Sequence, residues 1–150
     1  MEQRFDINTV SPDGLKAMLG LNSYVRNCGL ESSLLELVKI RVSQINGCAF
    51  CIAMHVADAR KLGVSDERMH LLAAWREAPI YSARERAALA WAEALACIDR
   101  GGVPDAVYIE ARQHFSESEL ADLSYAVVVI GGWNRLMIAS RTPPQVTAVL

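Results

Sequence analysis

The sequence predicts an all-α protein, and three observations carry that reading. Apolar residues recur at helical spacing, with no alternating run long enough to build a sheet. Capping signals led by serine precede several of those runs. Pro and Gly punctuate the chain at helix-length intervals. At 150 residues the expectation is one domain, 1–150, with one core.

The elements follow in order. Ser11-Pro12 is an N-cap with proline at the first helical position, and Leu15, Met18, Leu19 and Val25 mark a stripe ending near Gly29. A second helix is expected from Ser33 to Gly47, opened by the capping box Ser33-Leu34-Leu35-Glu36. The third begins around Cys48 and closes at Lys61-Leu62-Gly63, with cations in its last turn and a glycine after it. Ser65-Asp66-Glu67 opens a fourth that Pro79 ends. Ser82-Ala83-Arg84-Glu85 is a capping box ahead of an alanine-rich helix reaching Gly101-Gly102, and a short helix follows from Pro104. Ser116-Glu117-Ser118-Glu119 opens the last, which runs to Thr142-Pro143-Pro144. That helix is apolar on nearly all sides. Val127, Val128, Val129, Ile130, Trp133 and Met137 therefore predict a central helix or one shared between subunits.

Charge excludes some partners. The formal net charge is −2, with Lys and Arg scattered, so neither nucleic acid nor an anionic membrane is expected. The polar N-terminus Met1-Glu2-Gln3-Arg4-Phe5-Asp6 lacks the basic and apolar segments of a secretory signal, which makes a cytoplasmic, soluble protein the expectation. Leu120 to Ile138 is the best candidate for a bilayer span, and Asp122, Asn134 and Arg135 interrupt it.

The segment Cys48-Ala49-Phe50-Cys51-Ile52-Ala53-Met54-His55 concentrates the chemistry. Spacings of three and four put both thiols and the imidazole on one helix face. Cys48 and Cys51, about one turn apart, can close a disulfide after modest adjustment. Cys48 stands at the helix N-terminus, where the dipole favours thiolate, whereas Cys51 has His55 four residues on to accept its proton. Cys51 is the expected attacking thiolate and Cys48 the resolving thiol, because a nearby base also returns a proton to a leaving hydroxide or alkoxide. The reverse assignment stays open. Glu36 reads as a capping residue; a carboxylate beside His55 would also fix its tautomer, but spacing alone does not bring the two helices together there.

No metal is expected. One CxxC with a histidine supplies three ligands at most, and Cys48 to His55 spans about 10 Å of helix rise, too far for a shared zinc ion. Cys28 and Cys97 read as small buried hydrophobes, His70 and His114 as surface or core-edge residues, and Trp75, Trp91 and Trp133 as core or interface. No cofactor is expected.

With Glu36, the twelve-residue gap, Cys48-Ala49-Phe50-Cys51 and His55 in view, the chain resembles the alkylhydroperoxidase D-like (AhpD-like) branch of the carboxymuconolactone decarboxylase family. The likeness is closest from Ser33 to Gly63, extends to Ser82–Trp91 and Trp133-Asn134-Arg135, and takes in roughly residues 15–140. It implies an AhpD-like helical bundle assembled as a homo-oligomer, trimer or hexamer, and a peroxidase that depends on the CxxC pair. It also implies that Glu36 joins Cys48, Cys51 and His55 in a proton relay. The partners implied are a hydroperoxide substrate and an external dithiol reductant. Some members resembling the peroxidase carry histidine just before the second cysteine, where this chain has Phe50. Two other readings compete: a non-enzymatic redox sensor or interaction module whose disulfide alters assembly, and a decarboxylase-branch lyase, which the cysteine pair argues against.

Overall fold

A computed structural model describes residues 2–146, and among them there are helices and no strand. The α-helices are α1 (Ile7–Val10), α2 (Pro12–Arg26), α3 (Ser32–Asn46), α4 (Ala49–Lys61), α5 (Asp66–His70), α6 (Ala83–Ala96), α7 (Asp105–His114) and α8 (Glu117–Ser140). Two 3₁₀ turns, Leu71–Ala74 and Ile98–Arg100, complete the path.

Local chemistry sets most of the boundaries. The capping boxes at Ser82 and Ser116 both form, each serine accepting from the N3 amide while the N3 glutamate accepts from the serine amide. Ser11 precedes α2 with Pro12 in the first turn. Four expectations are corrected. The Ser33 box does not form: α3 starts a residue earlier, behind Glu31, and the Glu36 carboxylate is engaged elsewhere. The first predicted helix stops at Arg26 instead of near Gly29. The fourth breaks at His70 into a 3₁₀ turn, and the fifth ends at Ala96, where the Cys97 amide closes on Glu93. Helix α1 went unpredicted, since a single turn shows no periodicity; the Asp6 carboxylate caps it at the Asn8 amide.

Two apolar clusters make the core. One gathers Val38, Val42, Ala88, Leu123, Ala126 and Ile130 from α3, α6 and α8; the other sets Leu37 and Ile40 of α3 against Leu72, Trp75 and Leu89. Helix α3 serves both, because nine of its residues are buried around most of its circumference. Helix α8 is central as expected, packing against α2, α3, α4, α6 and α7. By length and composition α8 is long and apolar enough to cross a membrane, despite its polar interruptions. Those interruptions find partners inside the fold: Asp122 accepts from the Tyr24 hydroxyl at 2.6 Å, and Asn134 donates to Ser43 Oγ at 3.0 Å and accepts from Asn46 at 2.8 Å. The two Asn134 bonds join the end of α3 to α8.

Other side chains depart from expectation in degree. Cys28 and Cys97 are free thiols but only half-buried, and Trp91 and Trp133 are half-buried while Trp75 is in the core. His70 is exposed and His114 lies at the core edge, 3.4 Å from Glu110.

Candidate active site

The turn between α3 and α4 places the sulfurs. Gly47 closes α3 in the left-handed region at φ 71°, a conformation a side chain would strain, and the chain reverses there so that α4 runs back along α3. Cys48 then falls at the N-cap of α4, its Sγ accepting from the Cys51 amide at 3.3 Å. Cys48 and Cys51 are joined as a disulfide with Cα atoms 5.4 Å apart. Both residues are buried.

One turn on from Cys51, His55 meets α3. Its Nδ1 lies 2.7 Å from Glu36 Oε2, with His55 6% and Glu36 8% exposed as whole residues. The other carboxylate oxygen, Oε1, accepts from Lys39 Nζ at 2.8 Å. Donation from Nδ1 to the carboxylate selects the tautomer whose free lone pair is on Nε2, and no hydrogen bond to Nε2 occurs among the described residues. Burial pushes the Glu36 proton affinity up, but the hydrogen bond and charge of His55 and the charge of Lys39 outweigh it, holding the carboxyl below its ordinary range. The site therefore keeps an anion, an ammonium and an imidazole in contact, away from bulk water.

These groups open onto a cavity of about 1300 Å³. Glu36, Lys39, Cys51, His55 and Asp58 stand on its wall beside the apolar Leu15, Phe50, Met54, Trp133 and Met137, while residues of the N-terminal segment and of 142–145 wall another part. Cys51 lines this space. The structure thus brings Cys48, Cys51, His55 and Glu36 together. Among the cavity residues that escaped the sequence reading, Asp58 and Lys39 stand next to the relay. Asp58 follows His55 by three and Cys51 by seven, so helical spacing could have found it; Lys39, in the middle of an amphipathic stretch, gave no such signal.

Glu36, His55 and Asp58 each offer a ligand atom within 4.8 Å of the others, a donor set that could reach one ion. Lys39 opposes that use, since its ammonium already occupies a Glu36 oxygen and would repel a cation.

The profile of the carboxymuconolactone decarboxylase family matches residues 12–94, which run from α2 into α6 and include every residue of this cluster. The uncharacterized protein YdfG of Bacillus subtilis (strain 168) is 42% identical over 139 residues, 93% of this chain and 95% of YdfG. A solved structure from Agrobacterium tumefaciens, the protein of unknown function ATU0492 for which an antioxidant-defence role of the AhpD kind has been suggested, superposes with a TM-score of 0.95. It is 38% identical, covering 97% of this chain and all of that one (100%). The debrominase Bmp8, at 21% identity and a TM-score of 0.80 over 89% of this chain and 72% of its own, shares the fold. This chain belongs to the carboxymuconolactone decarboxylase family, in its AhpD-like branch.

Proposed function

We propose that this protein is a thiol-dependent peroxidase that reduces hydrogen peroxide or organic hydroperoxides through a Cys48/Cys51 dithiol–disulfide cycle. The observation that carries the reading is a redox-capable CxxC pair whose second cysteine shares a cavity wall with an imidazole anchored on a buried carboxylate.

In the reduced enzyme, His55 Nε2 takes the Cys51 proton and the thiolate attacks the terminal peroxide oxygen. The O–O bond breaks, Cys51 becomes a sulfenic acid, and the departing alkoxide or hydroxide takes the proton back from His55. Cys48 then attacks the sulfenic sulfur, releasing water and closing the disulfide. An external dithiol returns both thiols and is itself oxidised, so the cycle needs no bound cofactor. Glu36 orients His55 and stabilises its protonated form. Cys51 is assigned the attack because it lines the cavity, and Cys48 the resolving step because it is held at the N-cap.

The test is hydroperoxide consumption driven by a small dithiol. C51S is expected to abolish turnover, and reduced C48S, mixed with hydroperoxide in the absence of dithiol, to reduce one equivalent per subunit and stop at the sulfenic acid. Undiminished turnover by C51S would remove the assigned nucleophile, and turnover by a protein lacking both cysteines would favour a lyase-branch reaction. Oxidation without turnover, accompanied by a change in particle size, would favour a redox sensor. Action in a reducing, cytoplasmic setting and assembly as a trimer or hexamer belong to the same proposal; the dependence on an external dithiol supports the former, and an uncovered apolar row on α8 the latter.

A further inference from the structure

Lys39 is a buried charge that the proposed cycle leaves without a task. Its side chain is 6% exposed and lies on α3, one turn beyond Glu36, with Nζ 2.8 Å from Oε1. That places the carboxylate between two groups, the ammonium on one oxygen and the His55 ring on the other. An ammonium buried this deeply is unfavourable, and a methionine would fill similar space without that penalty. An ammonium also has three donors, of which one is used by a protein acceptor.

From this geometry we propose that Lys39 is a positioning residue of the thiol site. By anchoring Oε1 it keeps Oε2 on His55, and its fixed positive charge favours loss of the first proton from the Cys51–His55–Glu36 group. The assignment rests on the relay proposed above. A carboxylate with one partner can turn about its terminal torsion, whereas a carboxylate held at both oxygens cannot leave the imidazole without breaking a second bond.

Among the described residues Lys39 is the one lysine or arginine in contact with Glu36, whose other oxygen meets the His55 ring. On α4, Asp58 faces the pair but is tied to Lys61 at 2.7 Å. Arg26 of α2 and Asp6 of the N-terminal segment stand on the cavity wall, and α8 contributes uncharged Trp133 and Met137. The charged residues of α6 pair elsewhere: Arg84 with Glu31 and Glu119, Glu85 with Arg68, Glu93 with Arg41, and Arg86 with backbone carbonyls.

The test uses the full chain, reduced, with two readouts against pH: the rate of Cys51 alkylation by iodoacetamide and the rate of dithiol-dependent hydroperoxide reduction. In K39M the acid limb of both profiles is expected to move up by about one pH unit, the displacement typical of losing one neighbouring opposite charge. K39R should restore it, and K16M, which removes an exposed cation of α2 that does not line the cavity, should leave it in place. K39Q retains a hydrogen bond to Oε1 without the charge and makes the same comparison if K39M does not fold. A wild-type profile for the uncharged Lys39 variants, with E36Q still displaced, would overturn the assignment and leave the relay standing. Wild-type profiles for both E36Q and the uncharged variants would end both. A displaced alkylation profile with no hydroperoxide turnover by the wild type would remove the peroxidase reading and keep Lys39 in its role.

Discussion

Glu36 is a carboxylate that burial disfavours and its neighbours retain, so its ionisation is coupled to folding. Because its folded pKa lies below the ordinary 4.5, the stability it contributes is present above that value and is lost as pH falls through the depressed one. E36Q leaves Lys39 without its counter-charge and is expected to destabilise the protein by about 3 kcal/mol at neutral pH. The gap between variant and wild type should narrow once the wild-type carboxyl is protonated. Urea unfolding at neutral pH and through the acid range below 4.5 measures both, and a gap that does not change with pH would refute the coupling. At this scale Cys48, Cys51 and His55 were legible because one helix carries them at fixed spacing. Glu36 was legible as a relay member only through family likeness, since its meeting with His55 is a tertiary event and its local pattern favoured a cap that does not form. Lys39 was hidden for the same reason: nothing local distinguishes a buried lysine from a solvated one.

Between elements, Arg84 plays the part that no single cap can. It donates to Glu31 ahead of α3, to the His114 carbonyl at the end of α7 and to Glu119 in the capping box of α8, and its guanidinium lies 4.1 Å from the Phe115 ring centroid. Four segments meet at one side chain. The Ser116 amide first, and the arginine second, lower the Glu119 carboxyl to about 2. R84A is therefore expected to lose about 2 kcal/mol at neutral pH, after discounting for the partial exposure of its partners. The loss should shrink as pH falls from 4.5 towards about 2, where Glu119 becomes protonated. Thermal unfolding across that range checks it, and a loss independent of pH would assign the effect to the His114 carbonyl and the Phe115 ring instead of the carboxylates. The helices were largely legible because their caps are local: both serine-led boxes at α6 and α8 formed as read. The 3₁₀ break after His70 was not, because Leu72 and Trp75 are fixed in the core against α3 and α6, which no local pattern encodes.

At the scale of the whole molecule, α8 was read as either central or shared, and its buried side satisfies the first description. The other side remains uncovered: Ala121, Tyr125 and Val128 form an exposed row, Val128 at 61%. If that row packs against another copy, as proposed, V128R should disperse the assembly while leaving the fold of each subunit within about 0.5 kcal/mol, the range of an ordinary surface substitution. Light scattering with far-UV circular dichroism distinguishes the two effects, and an assembly unchanged in V128R would place the contact elsewhere.

The ends of the described chain also meet. The Arg4 amide donates to the Ser140 carbonyl at 2.8 Å, and Gln3 stands with Pro143 and Pro144 around the cavity that holds Cys51. A purification tag fused to either end would start within a few residues of segments that wall that cavity. A histidine tag would add imidazoles there as well, so kinetic work on this protein calls for cleaved material.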